Sequence, residues 1–351
     1  MIMNKYNFDD ILNIDNEFNK LNIDNKNKVE NKSNSYKLIK DTDNINKNIK
    51  IPKPILKWVG GKTQILDKLI IEFPVIINNY HEIFLGGSSV LLTFLTYIKH
   101  NLIKIQGKIY AYDINEPLIN LYKNIQSNHI ELYNSIEKII NIYNECNGTE
   151  INRNTITIEE AKKSKENYYY WIRKQYNQLN TLEKNTLLGS SMFIFLNKTC
   201  FRGLFREGPN GFNVPYGNYK NPEIINKIHL EEIHSLIQNV LFECCDFNTS
   251  LKNIVENDFV YLDPPYAPEK DTSFIKYTNK GFGLDMHKKL FALCNNLSNE
   301  NKKFMMSNAD VKLVNDHFTD KKYTLNSILC KRTINSKNPE SKTKEVIIKN
   351  Y

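Results

Sequence analysis

From Pro52 onward the chain alternates short apolar runs with longer segments whose apolar residues recur every three or four positions. The short runs read as buried strands: His81 to Leu85, Lys108 to Tyr112, Val240 to Cys244, Asp258 to Leu262 and Lys303 to Asn308, each too short for a helix and carrying β-branched or aromatic residues. The periodic segments predict helices over residues 64–73, from Ser88 onward, through most of 117–190, and over 223–238, 284–299 and 310–316. A closing pair of strands flanks the polar, basic stretch 332–344, which either touches phosphate or is simply solvated. Strands that alternate with helices predict an α/β fold of the doubly wound kind. Such sheets take ligands beyond the C-terminal ends of their strands.

Residues 1–50 lack this alternation. They are rich in Asn, Lys, Asp and Ile and contain neither Gly nor Pro, the composition of a solvated tail or, alternatively, of a basic arm.

Several strands end in residues that carry chemistry. Asp258-Phe259-Val260-Tyr261-Leu262 runs straight into Asp263-Pro264-Pro265-Tyr266. Two prolines stop the strand and hold the next few residues stiff. A fixed carboxylate, a proline carbonyl outside the ladder and an aromatic plane together suit a planar amine. His81 to Leu92 reads as strand, Gly86-Gly87 turn and helix, where a ligand lies against bare backbone at a helix N-terminus. Lys108 to Tyr112 ends in Asp113, either a helix cap or, beside a glycine turn, a partner for ribose hydroxyls. Leu56-Lys57-Trp58-Val59-Gly60-Gly61-Lys62-Thr63 precedes a further helix. It ends like a nucleotide-binding P-loop, but that motif requires Gly where Leu56 stands.

The 351 residues carry a formal net charge of +8 and are 41% hydrophobic. This is enough chain for one large domain or a domain with an insertion, with a charge that suits an anionic partner. Six cysteines show neither CxxC nor zinc spacing, so free thiols and no metal site are expected. The polar start is unlike a signal peptide and no run is long enough to cross a membrane, so a cytoplasmic location without membrane association is expected.

With these motifs together, the chain resembles the Dam-like (D12 class) DNA adenine N6-methyltransferases, whose catalytic motif is Asp-Pro-Pro-Tyr and whose N-terminal signature is Lys-Trp-x-Gly-Gly-Lys. The resemblance covers residues 54–351. It implies a Rossmann-like methyltransferase sheet that binds S-adenosylmethionine (AdoMet), from residues 51–125 and 240–351, with an inserted, mostly helical recognition domain over 126–239 that carries a β-hairpin. The catalytic residues are then Asp263, Pro264 and Tyr266. Trp58, Lys62, Phe84, Gly86, Asp113, Asp246, Phe247 and Asp263 are the implied AdoMet contacts, with Lys62 answering the methionine carboxylate. Asp246-Phe247 also reads simply as a strand end. The family pattern Phe-x-Gly-x-Gly is broken, because Ser88 stands where the second glycine is expected.

Phe193 to Arg206 leads into an expected hairpin with turn Gly208-Pro209-Asn210-Gly211 and return arm Phe212 to Lys220. Its Arg, Lys, Asn and Tyr side chains supply base-edge donors and phosphate contacts. This stretch resembles the family's target-recognition region. The implied DNA contacts are Arg202, Arg206, Asn213, Tyr216 and Lys220, with Phe274 and Tyr277 beside a flipped base. Arg202 replaces the Asn usual in GATC-reading enzymes, so CATG or a related short palindrome is as open as GATC. The aromatic run Tyr168 to Arg173 is expected to pack inward. Double-stranded DNA is the expected partner, and the resemblance allows a companion restriction endonuclease that reads the same site. Two rival functions stay open: an amino methyltransferase acting on RNA, cytosine N4 or protein glutamine, and an inactive relative that only binds DNA.

Overall fold

A computed structural model gives the structure, which describes residues 49–268, 282–331 and 342–351. The expected tail over residues 1–48, Phe274, Tyr277 and most of the 332–344 loop lie outside the described residues. The central sheet has seven strands: β1 (Tyr80–Glu82), β2 (Ile109–Asp113), β3 (Val240–Cys244), β4 (Phe259–Leu262), β5 (Lys303–Ala309), β6 (Thr324–Lys331) and β7 (Lys342–Lys349). Their order across the sheet is β3-β2-β1-β4-β5-β7-β6. The first five are parallel, and β7 runs antiparallel to both β5 and β6. The order reverses between β1 and β4, the place where a doubly wound sheet opens a crevice at its carboxyl edge.

Alternation along the strands divides the core in two. Ile109, Ala111, Phe259 and Tyr261 face one cluster; Tyr112, Val260, Leu262 and Met306 face the other. All four residues of β4 are buried, so that strand reads as an unbroken apolar run rather than an alternating one. The first cluster is covered by helices α1 (Ser89–Lys99), α2 (Glu116–Glu145), α3 (Lys165–Gln178), α4 (Leu187–Thr199) and α5 (Lys227–Leu236); α6 (Leu284–Asn299) packs in the second. Residues 51–351 form one compact unit.

Helix α2 begins at a strong signal: Asn115 caps it by accepting from the Leu118 amide at 3.0 Å, and Pro117 stands in its first turn. It breaks at Asn128 (φ −143°, ψ 42°), close to the expected start of the inserted segment. In α3 the rings of Tyr168 and Tyr169 are buried, as expected from the sequence. Helix α4 is buried on nearly every side, and its polar residues turn their groups onto backbone: Ser191 Oγ donates to Leu187 O and Thr199 Oγ1 to Phe195 O.

The hairpin turns at Gly208 to Gly211, as expected, but it is short. Its ladder is confined to Glu207–Gly208 against Gly211–Phe212. The approach through Phe193 to Thr199 is helix α4, because a run apolar on all sides with no turn signal continues a buried helix as readily as a strand. Beyond that ladder the return arm meets the approach through an isolated bridge, Cys200 to Tyr216, and through separate hydrogen bonds such as Asn213 N to Arg206 O at 3.0 Å.

Candidate active site

Asp263 leaves β4 at the reversal point and meets a cation from the other end of the sequence. The ammonium of Lys62 donates to Asp263 Oδ2 at 2.6 Å and to Gly60 O at 2.8 Å. Lys62 is 3% exposed and the Asp263 side chain 18%. Burial pushes the Asp263 carboxyl up to about 6; the charge of Lys62 opposes this and that of Glu345 adds to it. Lys62 Nζ also lies 4.8 Å from the centre of the Tyr266 ring, within cation–π range.

The turn after β4 is held from two later strands. Asn308, at the end of β5, accepts from the amides of Ala267 and Ala309 through its Oδ1 at 3.0 and 2.8 Å. Glu345, on β7, accepts from the Tyr266 hydroxyl at 2.7 Å. Pro264 is buried between these anchors. Neither Asn308 nor Glu345 stands out in the sequence; Asn308 carries a faint signal as a polar strand end, Glu345 none.

Beside this turn lies the glycine loop between β1 and α1. Gly86 has φ +49°, and a Cβ there would stand 2.9 Å from Trp58 Cδ1; a Cβ at Gly87 would stand 2.8 Å from Trp58 Cβ. The glycines therefore admit the indole, which also stacks on Phe205 at 5.7 Å. Ser88 sits at φ +63°, the left-handed conformation that favours glycine. Its hydroxyl accepts from Tyr122 Oη at 2.9 Å. This explains how the broken pattern still folds: a bond to α2 offsets the strain. Ser88→Gly is expected to leave stability within about 1 kcal/mol of the parent. Relief of roughly 1–2 kcal/mol of strain is set against a hydrogen bond worth about 1 kcal/mol and a looser unfolded chain. Thermal unfolding checks this, and a large gain or loss would contradict it.

Asp113 ends β2 and clasps the loop, accepting from Gly86 N at 3.0 Å and Asn115 N at 2.9 Å. Burial raises its carboxyl above the ordinary range against the pull of these bonds. Phe84 after β1, Phe247 after β3 and Phe282 form a ring cluster with centroids 5.8 to 6.0 Å apart. Asp246 is exposed and caps the short helix Phe247–Ser250, accepting from Thr249 N at 2.8 Å; that amide holds its carboxyl below the usual range.

Glu82, at the end of β1, is buried and accepts from the Tyr80 hydroxyl at 2.7 Å. Burial pushes its carboxyl up to about 8, with the Tyr80 bond opposing and the charge of Asp263 adding. A folded-state value above the unfolded one contributes stability that is complete at acid pH and lost as pH rises through about 8. Glu82→Gln is expected to flatten that decline and to be the more stable protein at alkaline pH. Denaturant midpoints across pH check this; parallel curves would contradict it.

The expected recognition residues gather around the hairpin. Arg206 Nε donates to Asn213 Oδ1 at 2.6 Å, joining two of them on an exposed surface. Arg202 is exposed with φ +58°, and its amide donates to Tyr219 Oη at 2.8 Å. Lys220 is exposed. Tyr216 is partly buried, its hydroxyl 2.8 Å from that of Tyr143 and its ring 5.4 Å from Tyr169. Asn197 in α4, absent from the sequence-based set, ties this region to the glycine–lysine loop. Its Oδ1 accepts from Lys57 N at 2.9 Å, and its Nδ2 donates to Lys57 O at 2.8 Å and Gly203 O at 3.1 Å.

The strand-end acids, glycine loop and proline-stiffened turn thus lie along the carboxyl edge of the parallel strands, on both sides of the reversal point. A family profile described as D12 class N6 adenine-specific DNA methyltransferase matches residues 58–334. A Type II methyltransferase of Methanocaldococcus jannaschii is 34% identical, with 85% of this chain and 99% of the relative covered. The DNA adenine methylase of Haemophilus influenzae is 30% identical over 83% of this chain and 91% of its own. The Retron Ec67 DNA adenine methylase of Escherichia coli is 31% identical over 84% and 90%. With most of its length matched to the profile and nearly all of the archaeal relative covered, the chain belongs to the D12 class of N6 adenine-specific DNA methyltransferases.

Proposed function

We propose that the protein transfers a methyl group from AdoMet to the N6 amine of adenine within a short site in double-stranded DNA. The observation that carries this reading is Asp263, fixed at the end of β4 by the Lys62 ammonium, which also lies 4.8 Å from the Tyr266 ring, with the glycine loop clasped by Asp113 at the neighbouring strand ends.

The residues present fit AdoMet. The Phe84, Phe247 and Phe282 rings offer apolar faces for a purine. Asp113 keeps acceptor capacity for ribose hydroxyls beyond the two amides it already takes. Asp246 is exposed to meet an exocyclic amine, Trp58 walls the loop, and Lys62 is the cation for a methionine carboxylate. Bound there, AdoMet supplies an electrophilic methyl group.

The chain's own residues prepare the acceptor. The adenine amine is a poor nucleophile because its lone pair is delocalised into the ring. Asp263 and the carbonyl of Pro264 each accept one amino hydrogen, which draws the nitrogen toward tetrahedral geometry and frees the lone pair. The Asp263 carboxylate also stabilises the positive charge that develops there. Tyr266 stacks on a base that is flipped out of the duplex, since it is out of reach inside.

Residues 126–239 act as the recognition domain. The Arg206–Asn213 pair reads base edges, Arg202 and Lys220 contact DNA, and Tyr216 supports them from within the fold. A restriction endonuclease that reads the same site is the proposed companion, on the Type II name of the archaeal relative. The test is methylation of mixed-sequence duplex DNA with AdoMet, with modified bases mapped on both strands. N6-methyladenine at one short motif is expected; transfer to another base, or none, would overturn the reading.

A further inference from the structure

Tyr266 carries a hydroxyl that stacking does not need, since a phenylalanine ring stacks as well. That hydroxyl donates to Glu345 Oε2 at 2.7 Å. Glu345 lies in the middle of β7, paired on one side with Ala309 of β5 and on the other with Ile328 of β6, so its backbone is fixed by ladders on both edges. The Tyr266 ring is therefore held at its tip by a carboxylate and approached by the Lys62 ammonium at 4.8 Å. It cannot swing about its χ1 axis without giving up the Glu345 bond. Lys62, in turn, is bonded to Asp263. One cation thus stands between an acid at the strand end and an aromatic ring whose tip is held by a second acid.

We propose that Glu345 is a positioning residue for methyl transfer: it holds the Tyr266 ring at the angle at which a flipped base stacks, and it keeps a second negative charge beside Asp263. The inference rests on the function proposed above and extends it to a residue on the far, antiparallel edge of the sheet. Among the described residues, the titratable groups that interact with Asp263 are Lys62 from the glycine–lysine loop, Glu82 from β1, Tyr261 from β4, Tyr266 from the turn and Glu345 from β7. Among these Lys62 pulls the Asp263 carboxyl down and Glu345 pushes it up. Removal of the Glu345 charge alone is therefore expected to move the protonation of Asp263 to lower pH.

Five enzymes decide the matter: wild type, Glu345→Gln, Glu345→Ala, Tyr266→Phe and the double Tyr266→Phe/Glu345→Ala, which closes a cycle. Glu345→Gln retains an acceptor for the hydroxyl. It is expected to keep most of kcat while the acid limb of its pH–rate profile shifts downward, a change that a merely structural role would not produce. Glu345→Ala and Tyr266→Phe are each expected to lose roughly tenfold in kcat, the scale of one hydrogen bond, with AdoMet affinity unchanged. The double variant should be no slower than the slower single. Glu345→Ala within about twofold of wild type, an unmoved acid limb in Glu345→Gln, or losses that multiply in the double variant would each overturn the proposal. Titration of the Asp263 carboxyl by carbon NMR in wild type and Glu345→Gln reads the charge effect without turnover. If wild type methylates no DNA, the proposed function fails and the positioning role for methyl transfer fails with it, while the titration still decides the charge effect of Glu345: a lower Asp263 value in the variant supports it, and an identical value sinks it.

Discussion

Asp263→Ala is expected to lower kcat by about a hundred- to thousandfold, the usual cost of removing one preorganised electrostatic partner, about 2.7–4 kcal/mol. In the proposed mechanism the carboxylate accepts an amino hydrogen and stabilises the charge that grows on the nitrogen, and among the described residues of the turn Asp263 is the acid in contact with Lys62. The alanine variant should also unfold more readily, because Lys62 is left buried without its counter-ion; breaking such a pair typically costs about 3–5 kcal/mol. Asp263→Asn separates the two effects. It preserves the shape and one acceptor oxygen but not the charge, so it should lose a comparable factor in rate and less in stability. Single-turnover methylation alongside thermal unfolding measures both. An asparagine variant with near wild-type turnover would remove Asp263 from the chemistry.

Lys62→Met should have the second largest effect, and its signature is a displaced pH dependence. Lys62 opposes the burial that already pushes Asp263 up to about 6. Without the ammonium the carboxyl rises further and is protonated over more of the neutral range. The acid limb of the rate profile should move up, with activity falling most near neutrality and partly recovering in alkali. Loss of the proposed contact with the methionine carboxylate should weaken AdoMet binding as well. For stability the sign is fixed by linkage. A carboxyl raised in the folded state contributes stability that is complete below its unfolded value and lost as pH rises through its folded value. In wild type that window ends near 6, and in Lys62→Met its upper end moves higher. Equal loss of activity at every pH would mean that Lys62 acts only on AdoMet.

The sheet was legible because its central strands are short, apolar and end in acids or glycine: β4 and Asp263 could be placed from sequence alone, as could β2 and Asp113. The helix over 284–299 was equally clear, since its apolar positions repeat along one face. What the sequence could not supply was pairing across distance. Lys62 reads as a cofactor contact, and its bond to Asp263 links positions 201 residues apart. Glu345 sits in a polar, lysine-rich strand, where one more charge carries no signal. Ser88 looks like damage to a motif because its compensation comes from Tyr122, in another helix. The hairpin's turn was legible in Gly208-Pro209-Asn210-Gly211, but the length of its ladder was not, because an apolar approach has the same composition in a buried helix as in a strand.

The clamp at Asn197 bears on how new target sites could be built. With the hairpin reading DNA as proposed, swapping the segment around it between relatives is the obvious way to transplant specificity. Yet Asn197 holds both Lys57, at the door of the cofactor loop, and Gly203, inside the segment to be moved, and a Cβ at Gly203 would stand 2.3 Å from Lys57 Cβ. A graft cut between Asn197 and the hairpin would import a loop shaped for a different neighbour. The transplantable unit is therefore discontinuous: it comprises the hairpin, the end of α4 with its asparagine, and the residue at position 57 that lies against both.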